Sequence, residues 1–239
     1  MPIYNENCLD RMKSISENSI DCIVTDPPYK VTARGCSGSM GGYWKNEKTK
    51  KGNIFEYNDI SCKQYLPEFY RILKNKSLCY VMTNNLNLQE MINEGTKAGF
   101  KFVKTLIWDK QNKICGRYYM NCFEYIILFR KGGDRQINNC STPDILSIPI
   151  KKLKDENGNN LHDTEKPVEL MKILIDNSTN KGDVVFEPFM GIGSTCIACL
   201  ELHRDYIGTE IDKKYFEIAK KRIEQAEKDK NPELFELGW

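Results

Sequence analysis

The 239-residue chain holds only two histidines, His162 and His203, and no apolar run of the length that crosses a bilayer. The first scarcity excludes a multi-histidine metal site and argues against a His-driven triad, so the chemistry has to come from other side chains. The second argues against membrane insertion. Charge of one sign is not in excess either. Lys and Arg number 35 against 33 Asp and Glu, a net +2 that lacks the global basic signature of many nucleic-acid binders. Cysteine is present, but pairing is scarce: Cys8, Cys22, Cys36, Cys62, Cys79, Cys115, Cys122 and Cys140 stand singly, and only Cys196 and Cys199 form a C-x-x-C. That pair lies in the apolar stretch Thr195 to Leu200 with no second pair nearby, which reads as small residues packing a helix. No metal is expected. Met1-Pro2-Ile3-Tyr4-Asn5-Glu6 lacks the basic start and apolar core of a signal peptide, so the cytoplasm is the expected compartment and the thiols are expected to be reduced.

An apolar fraction of 40% and a charged fraction of 28% suit one globular domain over residues 1–239. Periodicity and turn signals predict seven short strands, Pro2 to Tyr4, Ile20 to Thr25, Ser77 to Thr83, Phe102 to Trp108, Glu124 to Phe129, Val184 to Glu187 and Tyr206 to Glu210. Helical spacing covers Cys8 to Ile15, Gln64 to Leu73, Leu86 to Ala98, Val168 to Thr179, Ser194 to Leu202 and Lys213 to Glu227. The alternation implies an α/β fold, a mostly parallel sheet with helices on both faces. Between Phe102 and Phe129 no helix intervenes, so an antiparallel hairpin is expected at that edge. Two long polar stretches, about 30–61 and 131–163, break the pattern. The first, with Gly35, Gly38, Gly41, Gly42, Tyr43 and Trp44, reads as a mobile lid or a loop that contacts nucleic acid. Lys45, Lys48, Lys50 and Lys51, and again Lys151, Lys152 and Lys154, suit phosphate contacts or simply solvated loops.

Two constellations carry chemistry. Asp26-Pro27-Pro28-Tyr29 follows the apolar run Cys22 to Thr25, placing a carboxylate and an aromatic ring at the carboxyl end of a strand, where open α/β sheets bind ligands. Two prolines stiffen the array, which suits a flat base bearing an amino group. Four residues alone would also fit a plain Pro-rich turn. The second constellation runs from Val184 through Phe186-Glu187-Pro188-Phe189-Met190-Gly191-Ile192-Gly193-Ser194-Thr195, a strand, a Gly-rich turn and a helix start with Ser or Thr available to cap it. At the end of the next strand stands Glu210, placed to accept from ribose hydroxyls. The turn lacks the spacing of a phosphate loop or a dinucleotide fold, which favours a cofactor with adenosine and no pyrophosphate. S-adenosylmethionine fits.

Together these residues resemble the amino-methylating, S-adenosylmethionine-dependent DNA methyltransferases. Asp26-Pro27-Pro28-Tyr29 is similar to that family's catalytic motif and Phe186-Glu187-Pro188-Phe189-x-Gly191-x-Gly193 to its cofactor motif, with Glu at 187 in place of the more usual Asp. His162-x-Thr164-x-Lys166-Pro167 with Leu170 and Leu174, and Glu210-x-Asp212-x-x-Tyr215 with Ala219 and Arg222, extend the likeness over nearly the whole chain. The catalytic motif precedes the cofactor motif, an order that resembles the circularly permuted β class. The resemblance implies a Rossmann-like, seven-stranded methyltransferase sheet, with the N-terminal strand supplying the position after Glu210 and 131–163 as a short target-recognition insert. It also implies catalytic roles for Asp26, Pro27, Pro28 and Tyr29. The cofactor contacts it implies are Asn7, Cys8, Asp26, His162, Thr164 and Lys166 on one side, with Phe186, Glu187, Pro188, Phe189, Gly191, Gly193, Ser194, Thr195, Glu210 and Ile211 around the turn.

A base amino nitrogen is a poor nucleophile because its lone pair is delocalised into the ring. Hydrogen bonds to the Asp26 carboxylate and the Pro27 carbonyl would localise that pair, with Tyr29 stacked on a base flipped out of double-stranded DNA. Asp at the first motif position favours adenine N6 in that family, with cytosine N4 the alternative. An RNA methyltransferase, or a silent nucleic-acid-binding partner subunit, stands further off. So short a recognition stretch is compatible with a homodimer, common in the β class, and restriction-modification is one setting for such an enzyme.

Overall fold

The computed structural model describes residues 1–28, 60–114, 119–151, 153, 154, 158 and 165–230. Tyr29, His162, Thr164, Lys152, the lysines of the first patch and nearly all of the 30–61 stretch lie outside the described residues.

The chain begins with β1 (Ile3–Tyr4), α1 (Cys8–Ser14), β2 (Ile20–Thr25) and α2 (Cys62–Ile72). Helix α2 starts at Ser61 because a reciprocal cap satisfies its first turn: the Ser61 hydroxyl accepts from backbone N–H groups there, while Gln64 Oε1 accepts from Ser61 N at 2.8 Å. Tyr65, Leu66, Phe69 and Ile72 recur at helical spacing and form its buried face. Leu73 switches directly to extended backbone and opens β3 (Leu73–Thr83), followed by α3 (Leu88–Lys97), β4 (Lys101–Ile114) and β5 (Asn121–Arg130). Then come β6 (Ile145–Ser147), α4 (Val168–Asp176), β7 (Val184–Glu187), α5 (Ser194–Glu201), β8 (Asp205–Thr209) and α6 (Lys213–Lys230).

Among the described residues the strands form one sheet of order β1-β8-β7-β2-β3-β5-β4-β6, in which only β5 runs antiparallel to its neighbours. Two expectations are met directly. The N-terminal strand pairs in parallel with β8, Ile3 opposite Gly208 and Tyr4 opposite Thr209, and β4 with β5 makes the hairpin. The strand count differs. Among the described residues Ile145–Ser147 adds an eighth strand beside Ile107–Asp109, so β4 is not the edge, and this part of the 131–163 stretch is tied to the body. Asn138 Nδ2 strengthens the tie, donating to the carbonyls of Asp176 at 2.7 Å and Thr179 at 2.9 Å.

Side chains alternate between two cores, as period-two strands require. Cys22, Val24, Leu78, Tyr80, Ile126 and Leu128 join a cluster with α4, α5 and α6. Ile20, Ile23, Cys79, Val81, Ile127 and Phe129 join another with α1, α2 and α3. Among the described residues no helix is long and apolar enough to cross a membrane. One close approach sets the spacing on the second face: a Cβ placed on Gly95 of α3 would lie 2.4 Å from Phe129 Cζ. Gly95→Ala therefore has to displace a ring in the core, and the gain in helix propensity does not offset it. We expect a loss of about 1–3 kcal/mol in urea unfolding, recovered in part by the added substitution Phe129→Leu.

Candidate active site

The carboxyl ends of β2, β3, β4, β7 and β8 share one edge of the sheet, since all five run the same way. Asp26 stands there at the end of β2 and Glu187 at the end of β7, and Glu210 directly follows β8. The two constellations, 160 positions apart in sequence, are thus neighbours in space.

Glu187 joins them. Its carboxyl is 3% exposed and accepts from Thr25 Oγ1 at 2.5 Å and Phe189 N at 3.1 Å on one oxygen, and from Thr195 Oγ1 at 2.7 Å on the other. Burial pushes it up to about 7 against those three hydrogen bonds. Strand β2, the Gly turn and the first turn of α5 are therefore fastened to one buried acid.

The turn itself depends on glycine. Gly191 and Gly193 have φ of 53° and 87°, in the left-handed region, and a Cβ on Gly193 would sit 3.3 Å from Ala219 Cβ of α6. Gly193, not Ser194 or Thr195, is the N-cap of α5, and it makes no side-chain cap. The expected cap is thereby corrected: Thr195 turns its hydroxyl inward to Glu187, and Ser194 Oγ is buried without a hydrogen-bond partner. Across the turn, Glu210 Oε2 accepts from Gly191 N at 2.9 Å and Oε1 from Asp212 N at 2.8 Å. Burial lifts this carboxyl too, to about 7. Asn5 Nδ2 donates to the carbonyls of Glu210 and Ile211, which brings the N-terminal segment to the same rim.

Asp26 is the other pole. One carboxylate oxygen, Oδ2, pairs with the Lys166 ammonium, and Oδ1 is buried without a hydrogen-bond partner. Burial raises this carboxyl above its ordinary range, and Lys166 pulls it back. Lys166 is held in place by its neighbours. Glu165 accepts from Leu153 N at 3.0 Å and pairs with Arg222 at 3.1 Å, while Pro167 caps α4. Arg222 also donates to Ile192 O, so the segment before α4 and the Gly turn share an anchor on α6.

A family model described as a DNA methylase, N6_N4_Mtase, matches residues 20–221. The chain belongs to this DNA methylase family. It is 28% identical over 251 residues to the type II methyltransferase M.HinfI of Haemophilus influenzae, covering 96% of this chain and 70% of that protein. Among solved structures it is similar to M1.HpyAVI in complex with SAM, with a TM-score of 0.68, 23% identity, and 92% and 98% of the two chains covered. The PvuII DNA methyltransferase, cytosine-N4-specific, superposes with a TM-score of 0.69 at 15% identity over 94% of this chain and 90% of that one.

The remaining residues read from sequence fall at differing depths in the methylase. Phe186 is core, Phe189 packs edge-on against Tyr65 at 5.5 Å, and the Pro188 carbonyl accepts from Thr209 Oγ1. Asn7 Oδ1 caps α1 through Leu9 N at 2.9 Å, and Cys8 is buried behind it with its thiol pushed up to about 12 by burial. Ile211 is exposed beside Glu210. Sequence reading passed over Thr25, Glu124 and Lys110. They stand at or beyond the ends of the apolar runs, where a polar residue is ordinarily taken for the solvated end of a strand.

The Glu187 carboxyl binds its proton more tightly in the folded chain than in the unfolded one, so this contribution to stability is full below about 4.5 and is lost as pH rises through about 7. Glu187→Gln keeps an acceptor and cannot ionise. Thermal unfolding from pH 4.5 to 8 should show the variant gaining on the native chain as pH rises, with Glu210 leaving a residual slope in both.

Proposed function

We propose that the chain transfers a methyl group from S-adenosylmethionine to the exocyclic N6 of adenine in double-stranded DNA, as a permuted, β-class member of its family. The single observation that carries this is Asp26: a half-buried carboxylate at the ligand-binding edge with one oxygen engaged by Lys166 and the other, itself buried, free to accept. A free acceptor beside Pro27 is what an amino group with two N–H donors requires.

The residues on the cofactor side fit the donor. Ser194 Oγ is an unpartnered buried hydroxyl at the Gly turn, Gly191 and Gly193 admit close approach of a ligand to backbone, and Glu210 retains lone pairs toward the rim for ribose hydroxyls. S-adenosylmethionine supplies a methyl group on a sulfonium, already activated for transfer to nitrogen. The chain's own part is to orient and to localise charge. Asp26 Oδ1 accepts from the target amino group and pulls its lone pair out of conjugation, the Pro27 carbonyl takes the second N–H, and Tyr29 stacks on the flipped base. Asp26 is also the nearest group to take up the proton that the amino nitrogen sheds after transfer.

The permuted reading draws support from the sheet, in which the N-terminal β1 occupies the position beyond β8 that a strand after Glu210 would otherwise fill. Adenine is favoured by Asp at position 26. The likeness to a cytosine-N4-specific structure makes cytosine N4 the second reading. We expect Asp26→Ala to abolish transfer of labelled methyl to duplex DNA, a loss of at least about a thousandfold, with unchanged circular dichroism. Mass spectrometry of nucleosides from the methylated DNA should yield N6-methyladenine. N4-methylcytosine would select the second reading, and near-native turnover by the variant would overturn the role of Asp26.

A further inference from the structure

Behind Asp26 lies a line of side chains that neither the catalytic nor the cofactor motif contains in full. Lys166 pairs with Asp26 on one side and lies 3.6 Å from Glu124 Oε2 on the other. Glu124, on β5 opposite Trp108, pairs in turn with Lys110, two residues along β4 on the same face, whose ammonium stands 5.3 Å from the centre of the Trp108 ring. The side chains of Lys166, Lys110, Glu124 and Asp26 are 7%, 11%, 16% and 20% exposed. Four charges of alternating sign, two buried and two half-buried, thus run in sequence from the hairpin to the catalytic edge. A surface ion pair contributes little and a buried one costs desolvation, so such an arrangement is not explained by stability alone.

We propose that Lys166 and Glu124 are positioning residues for methyl transfer: Lys166 holds Asp26 Oδ2 so that Oδ1 faces the target amino group, and Glu124 tempers that charge from behind. The inference rests on the reading of Asp26 as the group that holds the amino nitrogen. It assigns Lys166 to the catalytic carboxylate, where the family resemblance had suggested the cofactor. It also gives a task to Glu124, whose Oε2 is buried without a hydrogen bond.

Asp26 must stay an acceptor when a stacked base excludes the remaining water. Burial pushes its carboxyl up; Lys166 and, more weakly, Lys110 pull it down, and Glu124 pushes it up again. Glu124 itself would be raised by burial, but Lys166 and Lys110 hold it low, as ionised carboxylate. The other titratable groups facing Asp26 among the described residues are Glu187 of β7 and Tyr65 of α2, whose phenol burial keeps neutral. Two substitutions therefore act in opposite directions. Lys166→Met removes a cation from Asp26 and raises its pKa. Glu124→Gln keeps the shape of the side chain, leaves Lys166 wholly to Asp26, and lowers it.

The test follows the Asp26 carboxyl directly, by carbon-13 titration of aspartate-labelled full-length chain, assigned by difference from Asp26→Asn. In parallel, the acid limb of single-turnover methyl transfer to duplex DNA is measured. We expect Lys166→Met to move both upward by about one pH unit or more and Glu124→Gln to move both downward, with the double variant between them. A merely structural role would slow turnover without shifts of opposite sign. Should Lys166→Met not fold, the downward shift in Glu124→Gln decides alone. An Asp26 titration unmoved in folded variants overturns the network and leaves the proposed function standing. A native chain that transfers no methyl group overturns the function, while the titration still answers for the network.

Discussion

The burial of Glu187 is the constraint on which the site depends. A single carboxyl, lifted toward neutrality by its surroundings, accepts hydroxyl hydrogen bonds from Thr25 on β2 and Thr195 on α5 and a backbone hydrogen bond from Phe189. The β2–β7 ladder sets the strands side by side, and Glu187 adds the side-chain bonds that join the end of β2 to the turn that begins at Pro188. With them, the distance between the Asp26 carboxylate and the Gly turn is set by hydrogen bonds inside the core, out of reach of solvent screening. The Glu187 side chain is accommodated by that inward orientation, 3% exposed.

On this frame the two halves of the edge are given different electrostatics. Around the Gly turn the fixed groups are mostly backbone: left-handed glycines, amides bonded to Glu210, and carbonyls bonded to Asn5 and Arg222. Around Asp26 they are full charges, with ammonium groups on both sides of Glu124. A neutral, hydroxyl-bearing ligand portion suits the first and a polarised amino group the second. The hairpin of β4 and β5 thereby reaches the Asp26 side of the edge through Glu124 and Lys110.

Much of this was legible in the sequence because local and long-range signals agreed. Strand β2, the Asp-Pro-Pro sequence, β7 and the glycines were placed correctly by apolar runs bounded by turn residues, and the pairing of β1 with β8 followed from the family resemblance. What escaped did so for physical reasons. Strand β6 is three residues long in a polar stretch, too short for periodicity, and exists because Ile107–Asp109 offers it a ladder. Leu86, expected at the start of α3, is exposed in the turn that Asn84 organises through its side-chain bonds to Leu86 N and Asn87 N. Ser194 and Thr195 looked like caps, but Glu187 lies across the turn and claims Thr195. Lys110 lies beyond the strand expected over Phe102 to Trp108, and Glu124 is only the first residue of the one expected over Glu124 to Phe129. Only the fold shows that they face each other and Lys166.

The most direct test of the central claim, that Asp26 and the glycine turn are two halves of one site, is a structure of the chain with S-adenosylmethionine or its unreactive aza analogue bound. The account predicts ribose hydroxyls on Glu210, the ligand backbone along Gly191 to Ser194, and the sulfonium or its substitute facing the space in front of Asp26 Oδ1. A ligand bound elsewhere, or bound at the turn with its transferable group directed away from Asp26, would contradict it.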